Sequence, residues 1–274
     1  QLSKKIVCIV GIGALGTVVS ELLTRSGIGK IILIDRDFIE LSNLQRQSLF
    51  DELDTGKLKS DVAKQKLQKI NSKIKIISKS EDLDHINVTK LIGKVDLIIG
   101  CTDNMESRFL LNDYSIKNNI PYVYGGAVSD KGFVFNIMKK GPCLRCVFKG
   151  KTNETCDTVG ILNSNSHIIS SLIANESIKI LLNKNPEKKL IHIDVWKNDF
   201  FKINVKIDKK CPVHNHNFEY LEGNLIINES KLCGKGSYQF KIKYDFEKTI
   251  KILNKIDKVK KFGKVAHFKN ITLF

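Results

Sequence analysis

Two groups of residues have types and spacings that chemistry could use. In the first, Gly11-Ile12-Gly13-Ala14-Leu15-Gly16 is followed, nineteen residues beyond Gly16, by Asp35. Glycines let a backbone turn tightly and approach phosphates, and the N-terminus of the helix that follows offers free N–H groups and a favourable dipole. Asp35 is placed to accept hydrogen bonds from ribose hydroxyls. In the second, Cys143-Leu144-Arg145-Cys146 is a C-x2-C knuckle, able to give two thiolates to a metal. No thioredoxin-like βαβ context surrounds it, which weighs against a redox role. Cys156 stands apart in a polar stretch, where a thiol, once deprotonated, is a nucleophile.

A glycine turn carries meaning only between a strand and a helix, and this one has that setting. The apolar run Ile6-Val7-Cys8-Ile9-Val10 precedes it. Leu15, Val18, Val19, Leu22 and Leu23 then repeat at helical spacing, and Ser26-Gly27 gives a helix stop. Ile31-Ile32-Leu33-Ile34 reads as a second strand ending at Asp35. Residues 36–47 are too polar and irregular for core. Gly56-Lys57-Leu58-Lys59-Ser60 leads into a helix with Ala63, Leu67 and Ile70 on one face. Strands are expected at Lys73 to Ile77 and at Val95 to Ile99, the latter central and parallel because it is apolar throughout its end.

Further on, the pattern predicts a helix from about Met105 to Lys117 and a strand from Tyr122 to Tyr124. Gly125-Gly126 is expected to bend the chain toward an antiparallel strand at Phe133 to Met138. Residues 149–160 read as a long loop. A helix from about Ser166 to Leu182 and a hairpin of His192 to Trp196 with Phe201 to Val205 follow. After Phe218 the character changes: residues 241–270 hold ten lysines against three acids. The expected fold is α/β, a Rossmann-like, mostly parallel sheet with antiparallel strands in its second half, over residues 1–218. Residues 219–274 form a small basic α+β module.

A chain of 274 residues, 42% hydrophobic and 27% charged, has the composition of a soluble globular protein. No apolar run approaches the roughly 20 residues of a membrane span, and no membrane partner is expected. Seven cysteines, an odd number, fit a reducing, cytoplasmic setting with metal-bound or reactive thiols better than a disulfide scaffold. The net charge of +16 comes from dispersed lysine with no arginine-rich arm, so nucleic acid is not an expected partner.

Beyond the glycine turn, Leu41-Ser42-Asn43-Leu44-Gln45-Arg46-Gln47, Gly56-Lys57-Leu58-Lys59 and Cys101-Thr102-Asp103-Asn104 stand in order. With Ala174 to Leu182 late in the chain, they resemble the ThiF/MoeB/HesA adenylyltransferases, relatives of the ubiquitin-activating enzymes. The likeness covers about residues 5 to 216. It implies that a small ubiquitin-like sulfur carrier ending in Gly-Gly is joined through its C-terminal carboxylate to AMP, with pyrophosphate released. ATP and Mg²⁺ would be required, and a homodimer is expected. Gly11, Gly13, Gly16 and Asp35 would then bind nucleotide together with Asn43. Arg46 would offer a planar donor fork to phosphate oxygens, and Lys59 a mobile point charge. Asp103 would hold Mg²⁺ between the phosphates; the spacing to Glu106 equally fits a helix-capping box.

The resemblance also implies a partner for the knuckle. The family's second C-x2-C reads here Cys211-Pro212-Val213-His214, so Cys143, Cys146, Cys211 and His214 make a Cys₃His zinc set, with His216 a possible substitute. Cys156 lies where some relatives carry a cysteine used in sulfur relay or carrier capture. Cys8 and Cys101 are expected to be packing residues. Two other readings remain open. One is a catalytically silent scaffold of the same fold that binds nucleotide or carrier. The other is an NAD-dependent oxidoreductase, which leaves Arg46, Lys59 and the cysteine pairs unexplained. The net charge alone suggests a tRNA-modifying cyclase of the same superfamily.

Overall fold

Eight strands form the main sheet: β1 (Ile6–Val10), β2 (Lys30–Ile34), β3 (Lys75–Lys79), β4 (Leu97–Gly100), β5 (Tyr122–Val128), β6 (Lys131–Ile137), β7 (Leu190–Asp194) and β8 (Asp199–Ile203). This computed structural model describes residues 1–148, 160–225, 229–232, 237–240, 245–262, 265–268 and 271–273. The spatial order is β3-β2-β1-β4-β5-β6-β7-β8. Pairing is parallel from β3 through β5 and antiparallel from β5 to β8. The chain winds outward in opposite directions on either side of β1. The carboxyl ends of β1 and β4 therefore open onto a crevice, the place where ligands of such sheets bind.

Helices α1 (Ala14–Arg25), α2 (Lys59–Ile70), α3 (Val88–Ile92), α4 (Met105–Asn118), α5 (Leu144–Val147) and α6 (Asn163–Leu181) accompany the sheet. The strands alternate between two cores. Val7, Ile9, Ile31 and Leu33 pack with Val19 of α1, Leu67 of α2 and Ile173 of α6. Cys8, Ile32 and Ile98 pack on the other side with Leu91 of α3 and with Phe109 and Tyr114 of α4. Covering on both faces is why these strands read as unbroken apolar runs. Among the described residues no helix is long and apolar enough to cross a membrane.

Several boundaries and one segment differ from the sequence expectation. Gly125 and Gly126 do not bend the chain. They lie within β5, facing Val134 and Phe133 of β6, and the reversal falls instead at Ser129, whose φ is 53°. A side chain at Gly125 would overlap Ile173 of α6, so glycine serves packing here. The stretch 36–47 is less polar in space than in sequence: Phe38 and Ile39 are buried, and Phe38 bridges Leu58. The expected β3 and the β7–β8 hairpin form two residues from their expected positions. Helix α3 had no periodic signal in its five residues. Beyond Phe218, β9 (Glu229–Leu232) pairs β10 (Ser237–Phe240), α7 (Phe246–Leu253) follows, and β11 (Lys260–Phe262), β12 (Val265–Phe268) and β13 (Ile271–Leu273) make a separate sheet.

Helix α4 is tied to the chain on both sides of the knuckle. Asn112 Oδ1 accepts from the Leu144 amide at 2.8 Å, and Asp113 Oδ2 accepts from the Tyr220 amide at 3.1 Å. Arg145 lies over both the Phe109 and Tyr220 rings, which touch each other, and pairs with Glu219 at 2.9 Å. Burial, only partly offset by these hydrogen bonds, raises the Asp113 carboxyl from 3.8 to about 6. The native state thus binds a proton that the unfolded chain has released, and stability should fall as pH rises from about 4 to 6. Denaturant midpoints at both pH values test this. Asp113→Asn should flatten that slope, and an unchanged slope would assign it to another group.

Candidate functional site

Gly11 and Gly16 explain the shape of the crevice floor. Gly11 has φ 89°, and a side chain there would run into the Cys101 carbonyl; one at Gly16 would overlap the Gly11 carbonyl oxygen. Both positions bring β1, α1 and the end of β4 together more closely than any other residue permits. No side chain caps α1, so its first-turn amides are left to whatever occupies the pocket lined by Gly13, Ala14 and Leu15. Asp35 clamps this turn from β2: Oδ2 accepts from the Ile12 amide at 2.6 Å and Oδ1 from the Asp37 amide at 2.7 Å. Burial raises its pKa, with the Lys59 charge working in the opposite direction.

The same pocket is lined by Asn43, Arg46, Lys59 and Asp103. All of the expected nucleotide-site residues except Gly16, which acts through packing, therefore face one space. Lys59, the first residue of α2, is only 5% exposed. Its ammonium donates to Asp37 Oδ2 at 3.2 Å. Burial alone would lower its pKa, but the carboxylates of Asp37, Asp35 and Asp103 outweigh that and leave it raised. Lys59 is thus a cation held ready inside the protein and not a surface lysine. Arg46 reaches back to the Ser42 carbonyl at 3.1 Å. Asn43 is buried in a 3₁₀ turn, where its side chain makes only long contacts of 3.4 Å to Ser42 and the Glu40 amide.

Asp103 does not cap α4. Asn104 does, accepting from the Ser107 amide at 2.8 Å, which leaves the Asp103 carboxylate to the pocket. The turn that carries Asp103 is pinned by Arg108, whose Nε and Nη2 both donate to the Thr102 carbonyl at 3.0 and 2.8 Å. Asp37, Gln47, Thr102 and Arg108 line the pocket too, although none of them has a role in the sequence reading. Asp37 stands two residues from Asp35 and Gln47 closes a quoted motif, so adjacency was the only available signal.

The second cluster is remote from this crevice in sequence and closes on itself. Ligand atoms of Cys143, Cys146, Cys211 and His214 all lie within 4.8 Å of one another. The Cys143 sulfur is 3.9 Å from that of Cys146 and 3.6 Å from that of Cys211. Zinc–sulfur bonds of about 2.3 Å would set tetrahedral sulfur pairs about 3.8 Å apart, so the donors fit the ion. Burial raises the Cys143 and Cys211 thiols and lowers His214. His214 Nε2 is buried without a hydrogen-bond partner among the described residues. The Asp208 amide donates to the Cys146 sulfur at 3.5 Å, as the outer shell of a thiolate site does. His216 is not in the cluster. Cys8 and Cys101 are buried in strand and strand end, as expected. Cys156 lies outside the described residues.

The ThiF family model matches residues 1–213. The chain belongs to the ThiF family. Over 249 residues it is 32% identical to the sulfur carrier protein ThiS adenylyltransferase of Bacillus subtilis, spanning 88% of this chain and 74% of that protein. Over 213 residues it is 34% identical to the molybdopterin-synthase adenylyltransferase of Escherichia coli, spanning 76% and 86%. A crystal structure of E. coli MccB with ATP superposes with TM-score 0.69 at 28% identity, covering 77% of this chain and 67% of that one. This ThiF-family member is an adenylyltransferase, and the oxidoreductase reading of its glycine turn falls away.

A bound Zn²⁺ would supply charge that lets the buried thiols ionise, so metal and fold should be coupled. Protein purified without chelator should contain about one zinc per chain and lose several degrees of melting temperature when the metal is stripped. Cys211→Ser should melt at the stripped value whether or not zinc is supplied. Equal melting of stripped and loaded protein would remove the structural role.

Proposed function

We propose that this protein uses ATP to adenylate the C-terminal carboxylate of a small ubiquitin-like sulfur carrier ending in Gly-Gly. The carboxylate oxygen attacks the α-phosphorus, the bond to the β-phosphate oxygen breaks, and pyrophosphate leaves. Negative charge grows on the phosphoryl oxygens and on the leaving group, so the protein's contribution is positioning and electrostatic stabilisation. The observation that carries this reading is the convergence of Arg46, Lys59 and Asp103 on a pocket floored by Gly13.

In this reading Asp35 receives the ribose hydroxyls and the first-turn amides of α1 receive phosphate oxygens. Asn43 donates to phosphate or ribose. Lys59 exchanges its Asp37 contact for a phosphate oxygen, and Arg46 leaves the Ser42 carbonyl for the same ligand. Asp103 would hold Mg²⁺, which supplies charge neutralisation between the phosphates. Cys156 would act after adenylation, its thiolate attacking the acyl carbon as AMP departs. The name of the Bacillus relative supports a carrier protein as the acyl partner. The proposed setting is a homodimer in the cytoplasm, with residues 1–218 as the adenylating unit and 219–274 as an appended module.

Pyrophosphate exchange with candidate Gly-Gly carriers tests this directly. Exchange should depend on one carrier and fall by on the order of 10²-fold or more in Asp103→Ala, as for loss of a transition-state charge stabiliser. Equal rates in the variant would refute the role of Asp103. ATP binding without exchange for any carrier would instead favour the silent scaffold.

A further inference from the structure

Arg108 stands where helix electrostatics argue against it. It is the fourth residue of α4, and a cation in the first turn opposes the helix dipole, which favours acids there. Its guanidinium turns back past the N-cap to Thr102, whose carbonyl accepts from Nε at 3.0 Å and from Nη2 at 2.8 Å. The third nitrogen, Nη1, faces the Tyr124 hydroxyl at 3.4 Å and the Met105 sulfur at 3.5 Å. Cζ lies 5.3 Å from the centre of the Tyr124 ring. Strand β5 thus fixes the guanidinium, and the guanidinium fixes the turn after β4. The ends of that turn are secured separately: the Cys101 amide donates to the Val10 carbonyl at 2.8 Å, and Asn104 caps α4. Between them, among the described residues, the backbone of Thr102 and Asp103 makes no hydrogen bond except the pair from Arg108. One side chain therefore sets the plane of the Thr102–Asp103 peptide, and with it the direction of the Asp103 carboxylate.

We infer that Arg108 is a positioning residue for adenylation: by holding the Thr102 carbonyl it aims the Asp103 carboxylate, without itself touching the nucleotide. The inference rests on the role proposed for Asp103 above and deepens it. Arginine suits the task because its rigid planar fork gives two N–H groups to one oxygen while its face stacks on Tyr124. A lysine would bring only a mobile point charge. Groups that orient a metal-facing carboxylate matter to it, and their loss typically costs about 10- to 100-fold in metal affinity or activity.

Two variants test this: Arg108→Met keeps packing on Tyr124 and loses the donors, whereas Arg108→Lys keeps the charge and loses the fork. Each is compared with wild type in ATP binding under chelator, in Mn²⁺ binding to the ATP complex read by electron paramagnetic resonance, and in pyrophosphate exchange. Metal-free ATP should bind both within about twofold of wild type, as for a residue that does not touch the ligand. In Arg108→Met, Mn²⁺ affinity and exchange should each fall about 10- to 100-fold, with Arg108→Lys between it and wild type. Added to Asp103→Ala, Arg108→Met should cost no more than about a further twofold, because an effect routed through Asp103 vanishes with it. The full loss recurring in that background, or metal-free ATP binding weakened as much as exchange, would mean that Arg108 acts on the nucleotide or the fold directly. Either result overturns the inference, as would wild-type Mn²⁺ affinity in both variants. Should Arg108→Met fail to fold, Arg108→Lys with and without Asp103→Ala gives the same comparison. If Asp103→Ala alone exchanges as wild type does, the role of Asp103 fails and takes this inference with it.

Discussion

The burial of one ammonium among three carboxylates organises this protein's pocket. Lys59 begins α2, Asp35 and Asp37 follow β2, and Asp103 follows β4, so the charges come from three separate segments of the chain. A buried lysine without such partners would be driven to give up its proton. A cluster of carboxylates without the lysine would repel itself. Each makes the other tolerable, and two bonds, Lys59 N–H to the Asp37 carbonyl at 2.9 Å and Ile12 N–H to the Asp35 carboxylate at 2.6 Å, hold the frame around them. An arrangement satisfied in this way is rigid, and rigidity at the place where charge will develop is what electrostatic catalysis requires.

The sheet puts those segments within reach of one another. Because β1 lies between β2 and β4, the carboxyl ends of three neighbouring strands meet at the point where the winding reverses. The glycines at 11 and 16 then remove the side chains that would keep α1 from settling there. The antiparallel half of the sheet plays a different part. It leads through β6 into the knuckle, whose cysteines and histidine close on the segment after β8 and, through Asn112, Asp113 and Arg145, brace α4. Helix α4 starts directly after the Asp103 turn, so the cysteine–histidine cluster and the pocket share a structural member.

Much of this could be read from the sequence because the relevant signals are local. Apolar runs ending in glycine or aspartate mark β1, β2 and β4, and ordered short motifs gave the family and most of the pocket. What could not be read depended on contacts far apart in the chain. Gly125 and Gly126 look like a bend, yet they are strand residues: a side chain at Gly125 would meet Ile173 of α6, and one at Gly126 the Tyr124 ring. The capping box at Asp103 was a fair local reading, but Asn104 takes the cap and frees its neighbour. Gln47 and Arg108 bear on the site through the surroundings of their side chains, which no spacing encodes.

A crystal structure with a non-hydrolysable ATP analogue and magnesium bears most directly on this account. It should show the triphosphate over the first turn of α1, the Lys59 ammonium moved from Asp37 onto a phosphate oxygen, and Asp103 facing the metal. A triphosphate directed away from Gly13, with Lys59 still bound to Asp37 alone, would contradict it.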